Sequence, residues 1–535
     1  MQHFNILTRR DFLSYASKAG IAAAISSLAD IPLVAKRALA ADSSLGRNGK
    51  KVLFIFLRGA NDGLNSVLPV EDPAYYTSRP GIGLPKDTAT NYASLGAADN
   101  PVNAAPADPT FSYPYAIRLG NGFAALHPSL KFLAPVYNAG DLALVHRVGY
   151  PKQSRSHFDS QNYWENGTPN NNVAKDGIFY RTVIESGLAH SNALTGVSFQ
   201  SSLPLILRGS EAAMTNLSDP NRYSLLGVPN TAAGNLKADN ALRVGNALEF
   251  PWKRNRDLLS LQYKNMTDTM SIFASLDFNG TFTDDINTDG DTAPYNLFPT
   301  TNAQNGGYAL HNNAVNKYVV PTGAYGFFED LKAAALVLNK TDAIIAGTQL
   351  DGFDTHSNQV TAGSPHLGSH ANLQRTIGWS IYALKKYFSK YADKATWNNL
   401  VIVTLSEFGR TTIENSDSGT DHAEASVMFV AGGAVKGYNK GNANAVFGVS
   451  PTDKVPWVPG PAAGGGSMFG ASQRYLKRAV DYRSLLGKVI RDHLGASQQQ
   501  LDRIIPGYTV PTEFLKTGGL STKDATQIMG ELPIV

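Results

Sequence analysis

Carboxylates and imidazoles recur in this chain immediately behind short apolar runs. Asp62 lies in Arg58-Gly-Ala-Asn-Asp-Gly-Leu-Asn65, directly after the run 51–57. Asp354 and His356 lie in Gly352-Phe-Asp-Thr-His356, with His366 and His370 close behind. Glu407 opens Ser406-Glu-Phe-Gly-Arg-Thr411, and His422 closes Gly419-Thr-Asp-His422. Hard oxygen and borderline nitrogen donors without thiolates suit a divalent metal ion, zinc or manganese first, with calcium as the alternative. The candidate ligands are therefore Asp62, Asp354, His356, Glu407 and His422. Asp354 and His356 are two apart, so in a strand they would share a face, and in a loop they could still converge. A different segment, Ser154-Arg-Ser-His-Phe-Asp-Ser-Gln161, offers a hydroxyl, a guanidinium and an imidazole within four positions.

That segment reads in two ways. A free hydroxyl is a weak nucleophile, so Ser156 or Ser154 would need activation by a neighbouring metal. Arg155 would then hold anionic oxygens in a bidentate fork, and His157 would act as acid, base or ligand. The same residues also make an ordinary helix cap and polar first turn. Arg58 and Arg410 face a parallel choice between oxyanion clamp and salt-bridge partner, and His127-Pro128 reads as a structural turn.

The elements that must position these groups are legible as apolar runs of strand length at 51–57, 142–145, 343–346, 400–405 and 427–431. Helical spacing recurs between them, with Ile377, Ile381, Leu384 and Phe388 in 373–388 and Leu485, Leu486, Val489 and Ile490 in 481–494. Buried strands alternating with helices predict an α/β fold, with ligands gathered beyond the strand C-termini. We expect a mostly parallel central sheet flanked by helices, with an inserted cap. The first part of the core spans 41–184, the Asn/Ser/Thr/Gly-rich insertion 185–325, and the second part with a C-terminal helix 326–535. Inside the insertion, Asp285-Ile-Asn287-Thr-Asp289-Gly290-Asp291 has the alternating oxygens of a calcium loop. Position twelve is Asn296 where a Glu is required, so the stretch reads as a solvated acidic turn.

The first forty residues read as an address. Thr8-Arg9-Arg10-Asp11-Phe12-Leu13, a small apolar stretch and Ala38-Leu39-Ala40 fit a twin-arginine secretory signal. The expected location is periplasmic or extracellular, and the translocase would be a partner during export. Without those residues the formal charge falls from +4 to about +1. With no basic block left, nucleic acid is a poor partner, and no later apolar run is long enough for a stable membrane span. At 535 residues and 17% charged, the chain has ample core to fold. It has no Cys, which excludes disulfides, thiolate metal sites and cysteine nucleophiles.

Together with Asp481-Tyr-Arg483, the five motifs resemble the exported domain-of-unknown-function family 1501, over about residues 50–495. That family is placed by similarity in the alkaline-phosphatase-like superfamily of phosphatases, sulfatases and phosphomutases. The resemblance implies a two-metal site in which Asp62 follows the first strand and a Ser in 154–156 is the nucleophile. It implies Asp354, His356 and His422 at one metal, and Glu407 where the superfamily has the Asp of an Asp-His pair. Phe408 stands where that His is expected and cannot bind metal. A formylglycine sulfatase is disfavoured, because the Cys/Ser-x-Pro-x-Arg pattern is missing. The expected function is metal-dependent hydrolysis of phosphate or related anionic esters, with a metal-activated Ser or hydroxide as nucleophile. Its substrate would be an anionic small molecule or surface polymer. The alternative is a non-enzymatic exported binding or surface-assembly protein that keeps a degenerate metal site.

Overall fold

The structure is a computed structural model that describes residues 44–86, 113–190, 192–212, 214–219, 268–269, 271–284, 295–305, 319–460, 467–469, 474–508 and 528–535. The expected signal at 1–40 and the acidic loop at 285–291 lie outside the described residues.

All seven residues of β1 (Lys51–Leu57) are buried, which requires cover on both faces of the sheet. The strand's alternation divides that cover. Leu53, Ile55 and Leu57 enter one core, and Val52, Phe54 and Phe56 enter the other. Onto the first pack α3 (Tyr325–Lys340) and α4 (Ser369–Lys390). The second holds α1 (His157–Asn166), α2 (Ile178–Ser186), α5 (Tyr482–Lys488) and α6 (Gln498–Ile504).

The remaining strands of the central sheet are β2 (Leu142–Gly149), β3 (Gly196–Phe199), β4 (Thr215–Leu217), β5 (Ile345–Leu350), β6 (Leu400–Ser406), β7 (Ser426–Ala431), β8 (Val446–Phe447) and β9 (Val480–Asp481). Their order is β8-β2-β7-β6-β1-β5-β3-β4, with β9 paired to β2. β6, β1, β5, β3 and β4 run parallel, whereas β7 is antiparallel to both β6 and β2. The chain is thus α/β with a mixed, largely parallel sheet. β3 and β4, from the segment expected to form an insertion, extend this same sheet.

Register decides where the chemistry can gather. Leu57 pairs with Leu350 on one side and with Ser406 on the other, so β1, β5 and β6 end level. Ser426 pairs with Val148, so β7 begins where β2 ends. The loops at 58–62, 150–157, 351–356, 407–410 and 422–425 therefore meet at one edge. No helix among the described residues is long and apolar enough to cross a membrane.

Candidate metal centre

Three histidines and one aspartate converge at that edge. His157 opens α1, whose N-cap is Ser156; Asp354 and His356 follow β5; His422 precedes β7. His157 Nε2 lies 3.0 Å from His422 Nε2 and 3.4 Å from Asp354 Oδ2. His422 Nε2 is 3.1 Å from Asp354 Oδ1. His356 Nε2 approaches the same pair, at 2.9 Å from His422 Nε2 and 3.1 Å from Asp354 Oδ1.

The other ring nitrogens fix the protons. His157 Nδ1 meets the Glu407 carboxylate, His356 Nδ1 lies 3.2 Å from Asp421 Oδ1, and His422 Nδ1 lies 2.9 Å from the Arg155 carbonyl. Each partner offers an acceptor, so the tautomer with its hydrogen on Nδ1 satisfies that bond and leaves the Nε2 lone pair for an ion. Three lone pairs and a carboxylate then face one another at hydrogen-bond distance. A proton can bridge one such pair, whereas a divalent cation serves all of them.

The donor set fits an ion by its chemistry and its spacing. Tetrahedral zinc at about 2.0–2.1 Å holds its ligands about 3.3–3.4 Å apart, close to the spacings here. Imidazole and carboxylate donors favour zinc or manganese over calcium. His157, Asp354 and His422 form the tightest group, with His356 on its open side. The Asp354 side chain is 46% exposed, which leaves that side accessible.

Glu407 is fully buried and acts behind the donors. One of its oxygens accepts from Gly59 N at 3.0 Å and Gln161 Nε2 at 2.6 Å, while the other holds His157. The bond to Glu407 raises the pKa of His157 above the ordinary imidazole value, against the opposing effect of burial. Burial pushes His422 down, although its bond to Asp354 works the other way. For Asp354, burial is outweighed by the hydrogen bond and charge of Arg410, which hold its carboxyl below the usual range. Phe408 packs its ring against both His157 and His422, with centroids 4.9 and 4.8 Å apart.

The structure does not bring Asp62 into this group. Its carboxylate is buried and gripped by Arg79, at 2.6 Å from Nη1 and 3.1 Å from Nη2, and it accepts from Gln359 Nε2 at 2.7 Å. Gln359 in turn accepts from Thr355, next to His356, and from Thr420, two residues before His422. Asp62 therefore braces the loops that carry the donors. Arg79 and Gln359 were invisible to sequence spacing, since they pair with Asp62 only through the fold.

Arg410 is buried among the carbonyls of Gly59, Ala60, Phe353 and Thr420 and also bonds Asp354. Arg58 is the salt-bridge partner of Glu165, at 2.8 Å. Ser156 Oγ accepts from Asp159 N at a long 3.5 Å, and Ser154 Oγ accepts from Ser156 N at 3.2 Å. His127 accepts from Ser129 N at the head of a short 3₁₀ turn, and its ring meets that of His370 at 5.7 Å. Neither His366 nor His370 is grouped with the converging donors. Asp421 was also missed as a participant, although its place beside His422 in Gly419-Thr-Asp-His422 was the available signal.

Residues 303–450 match the model of a family described only as protein of unknown function, DUF1501. That span contains Asp354, His356, Glu407 and His422. No curated protein and no solved structure matches the chain.

Proposed function

We propose that this chain is an exported, divalent-metal-dependent hydrolase of phosphate or related anionic esters, built on an alkaline-phosphatase-like core. The observation that carries the reading is the convergence of three imidazole Nε2 atoms on the Asp354 carboxylate. His157, His422 and Asp354 would hold the ion, with His356 beside them. Bound there, a divalent ion supplies Lewis-acid polarisation of an oxyanion and activates a nucleophile close to it.

The chain's own groups do the positioning. Glu407, Asp421 and the Arg155 carbonyl fix the three imidazoles by the hydrogen bond opposite each donor atom, as outer partners of metal ligands do. Arg410 neutralises Asp354 without closing the open side. A purely structural ion would be enclosed by its ligands, whereas exposure of Asp354 and His356 leaves room for substrate. In the net reaction, water gives its hydroxyl to the phosphoryl group and its proton to the departing alcohol. In this reading Ser156, adjacent to His157 and held only by a long cap bond, would be the nucleophile that attacks first.

Elemental analysis of protein purified without chelator should find about one zinc or manganese per chain, and D354A and H422A should lose it. Hydrolysis of p-nitrophenyl phosphate should disappear with the metal. S156A should retain the metal, lose about 1 kcal/mol of cap stability, and lose turnover. Full metal content in D354A and H422A would overturn the assignment of the site.

A further inference from the structure

Resting on that reading, we infer that Arg155 and Tyr475 form a clamp for a doubly charged phosphoryl group at the rim of the centre, with Tyr475 as the residue that positions Arg155. The Arg155 backbone is tied to the centre, because its carbonyl accepts from His422 Nδ1. Its guanidinium lies over the Tyr475 ring, 4.2 Å from the centroid. No carboxylate among the described residues forms an ion pair with it. Stacking holds the plane of the fork while leaving its edge donors for a ligand, and such a fork matches two phosphoryl oxygens.

Tyr475 is itself fixed at the rim by its neighbour. Arg474 bonds Asp421, which bonds His356, and the Arg474 carbonyl accepts from Thr412 N at 3.0 Å. The stacked pair thus stands between two chains of contact, one through His422 and the other through Asp421 and His356. The ring is half-buried, as a platform must be.

Charge balance indicates the class of ligand. The carboxylates that belong to the cluster or hold it are Asp354, Glu407 and Asp421. Asp354 and Asp421 pair with Arg410 and Arg474, and Glu407 with His157, while Arg155 adds a third guanidinium that has no carboxylate partner among the described residues. Addition of a divalent ion leaves these groups with a surplus of two positive charges, complementary to a phosphate monoester dianion. A singly charged diester or sulfate ester would leave half of it uncompensated. Without the ion the same groups cancel, so the clamp alone has little attraction for an anion.

The test is calorimetric titration of inorganic phosphate into the zinc-loaded full chain at pH 8, with zinc content measured on each sample. R155A and Y475A should each weaken phosphate binding by roughly tenfold or more, the loss expected for a charge-assisted pair. Both should retain zinc. Y475F keeps the ring and should bind within about twofold of the parent, which a general structural defect at this position would not predict. Phenyl phosphate should compete with inorganic phosphate more strongly than phenyl sulfate does. Normal zinc content with unchanged phosphate affinity in R155A overturns the clamp alone, as does equal competition by phenyl sulfate. Failure of the parent protein to bind zinc removes the centre, and the clamp with it.

Discussion

At His157 two requirements meet: one ring nitrogen must face the converging donors, and the other must be held by an acceptor. Glu407 meets the second, and it does so from a fully buried position with both carboxylate oxygens engaged. Gln can still accept a hydrogen bond at this place but carries no charge to make His157 a better donor. E407Q should therefore fold and still bind zinc, with an affinity about 10–100-fold lower, read by competition with a chromophoric chelator. An affinity equal to that of the parent would show that the carboxylate does not tune the imidazole. E407A is a harsher change, because it strips His157, the Gly59 amide and Gln161 of their acceptor at once, whereas Gln keeps one acceptor oxygen.

Strand register accounts for why distant residues meet, since β1, β5 and β6 end level and each supplies the loop that follows it. These loops are packed so closely that Gly59, at φ 104°, has no room for a side chain. A Cβ there would lie 2.4 Å from the Asp354 backbone nitrogen. G59A should cost at least about 1–3 kcal/mol in backbone strain alone and reduce zinc occupancy by displacing Asp354. Thermal unfolding and elemental analysis would check the two effects. Asp62 and Arg79 brace the same loops from beneath. D62N leaves a buried guanidinium without its counter-charge, a change that typically costs about 3–5 kcal/mol. Urea unfolding should show that loss, while the fraction that remains folded should still hold about one zinc. Loss of zinc without loss of stability would restore Asp62 to the role of ligand.

Much of this framework was legible in the chain, because buried strands are written as uninterrupted apolar runs. The runs at 51–57 and 400–405 lie within β1 and β6, and the helical pattern at 373–388 lies inside α4. The run at 343–346 only begins its strand. β5 continues through Gly347, Thr348 and Gln349, where pairing with β1 outweighs the lower hydropathy. The antiparallel direction of β7 left no trace in hydropathy, since a buried strand is apolar whichever way it runs. At the site, Asp354, His356 and His422 were readable as donors. The division between donor and holder was not: Glu407 and Asp62 have the chemistry of ligands, and only their partners in three dimensions, His157 and Arg79, show that each is already engaged.

Both cores contain buried imidazoles, and these set how the molecule as a whole should respond to acid. Burial lowers His146 to about 3 and His493 to about 4, and pushes His127 and His370 below the ordinary value as well. Once unfolded, each would titrate near 6.5. Between about pH 6.5 and 4 the unfolded chain therefore binds protons that His146 and His493 refuse when folded, and His127 and His370 act in the same direction. His146 and His493 then each remove about 1.4 kcal/mol of stability per pH unit. His157 acts in the opposite sense. Its raised pKa contributes stability that is fully present below the unfolded value and lost as pH rises through the folded one, but it is one group against four. The lowered carboxyls of Asp62 and Asp354 add their loss at lower pH, as they are protonated below about 3.8. Urea midpoints measured in chelator, so that metal binding makes no contribution, should fall steadily from pH 7 to 4.5. H493Q, which removes one of these groups and keeps a donor for the Lys51 carbonyl, should fall less steeply. A flat profile over that interval would mean that these imidazoles take up protons without penalty, and hence that water reaches them in the folded protein.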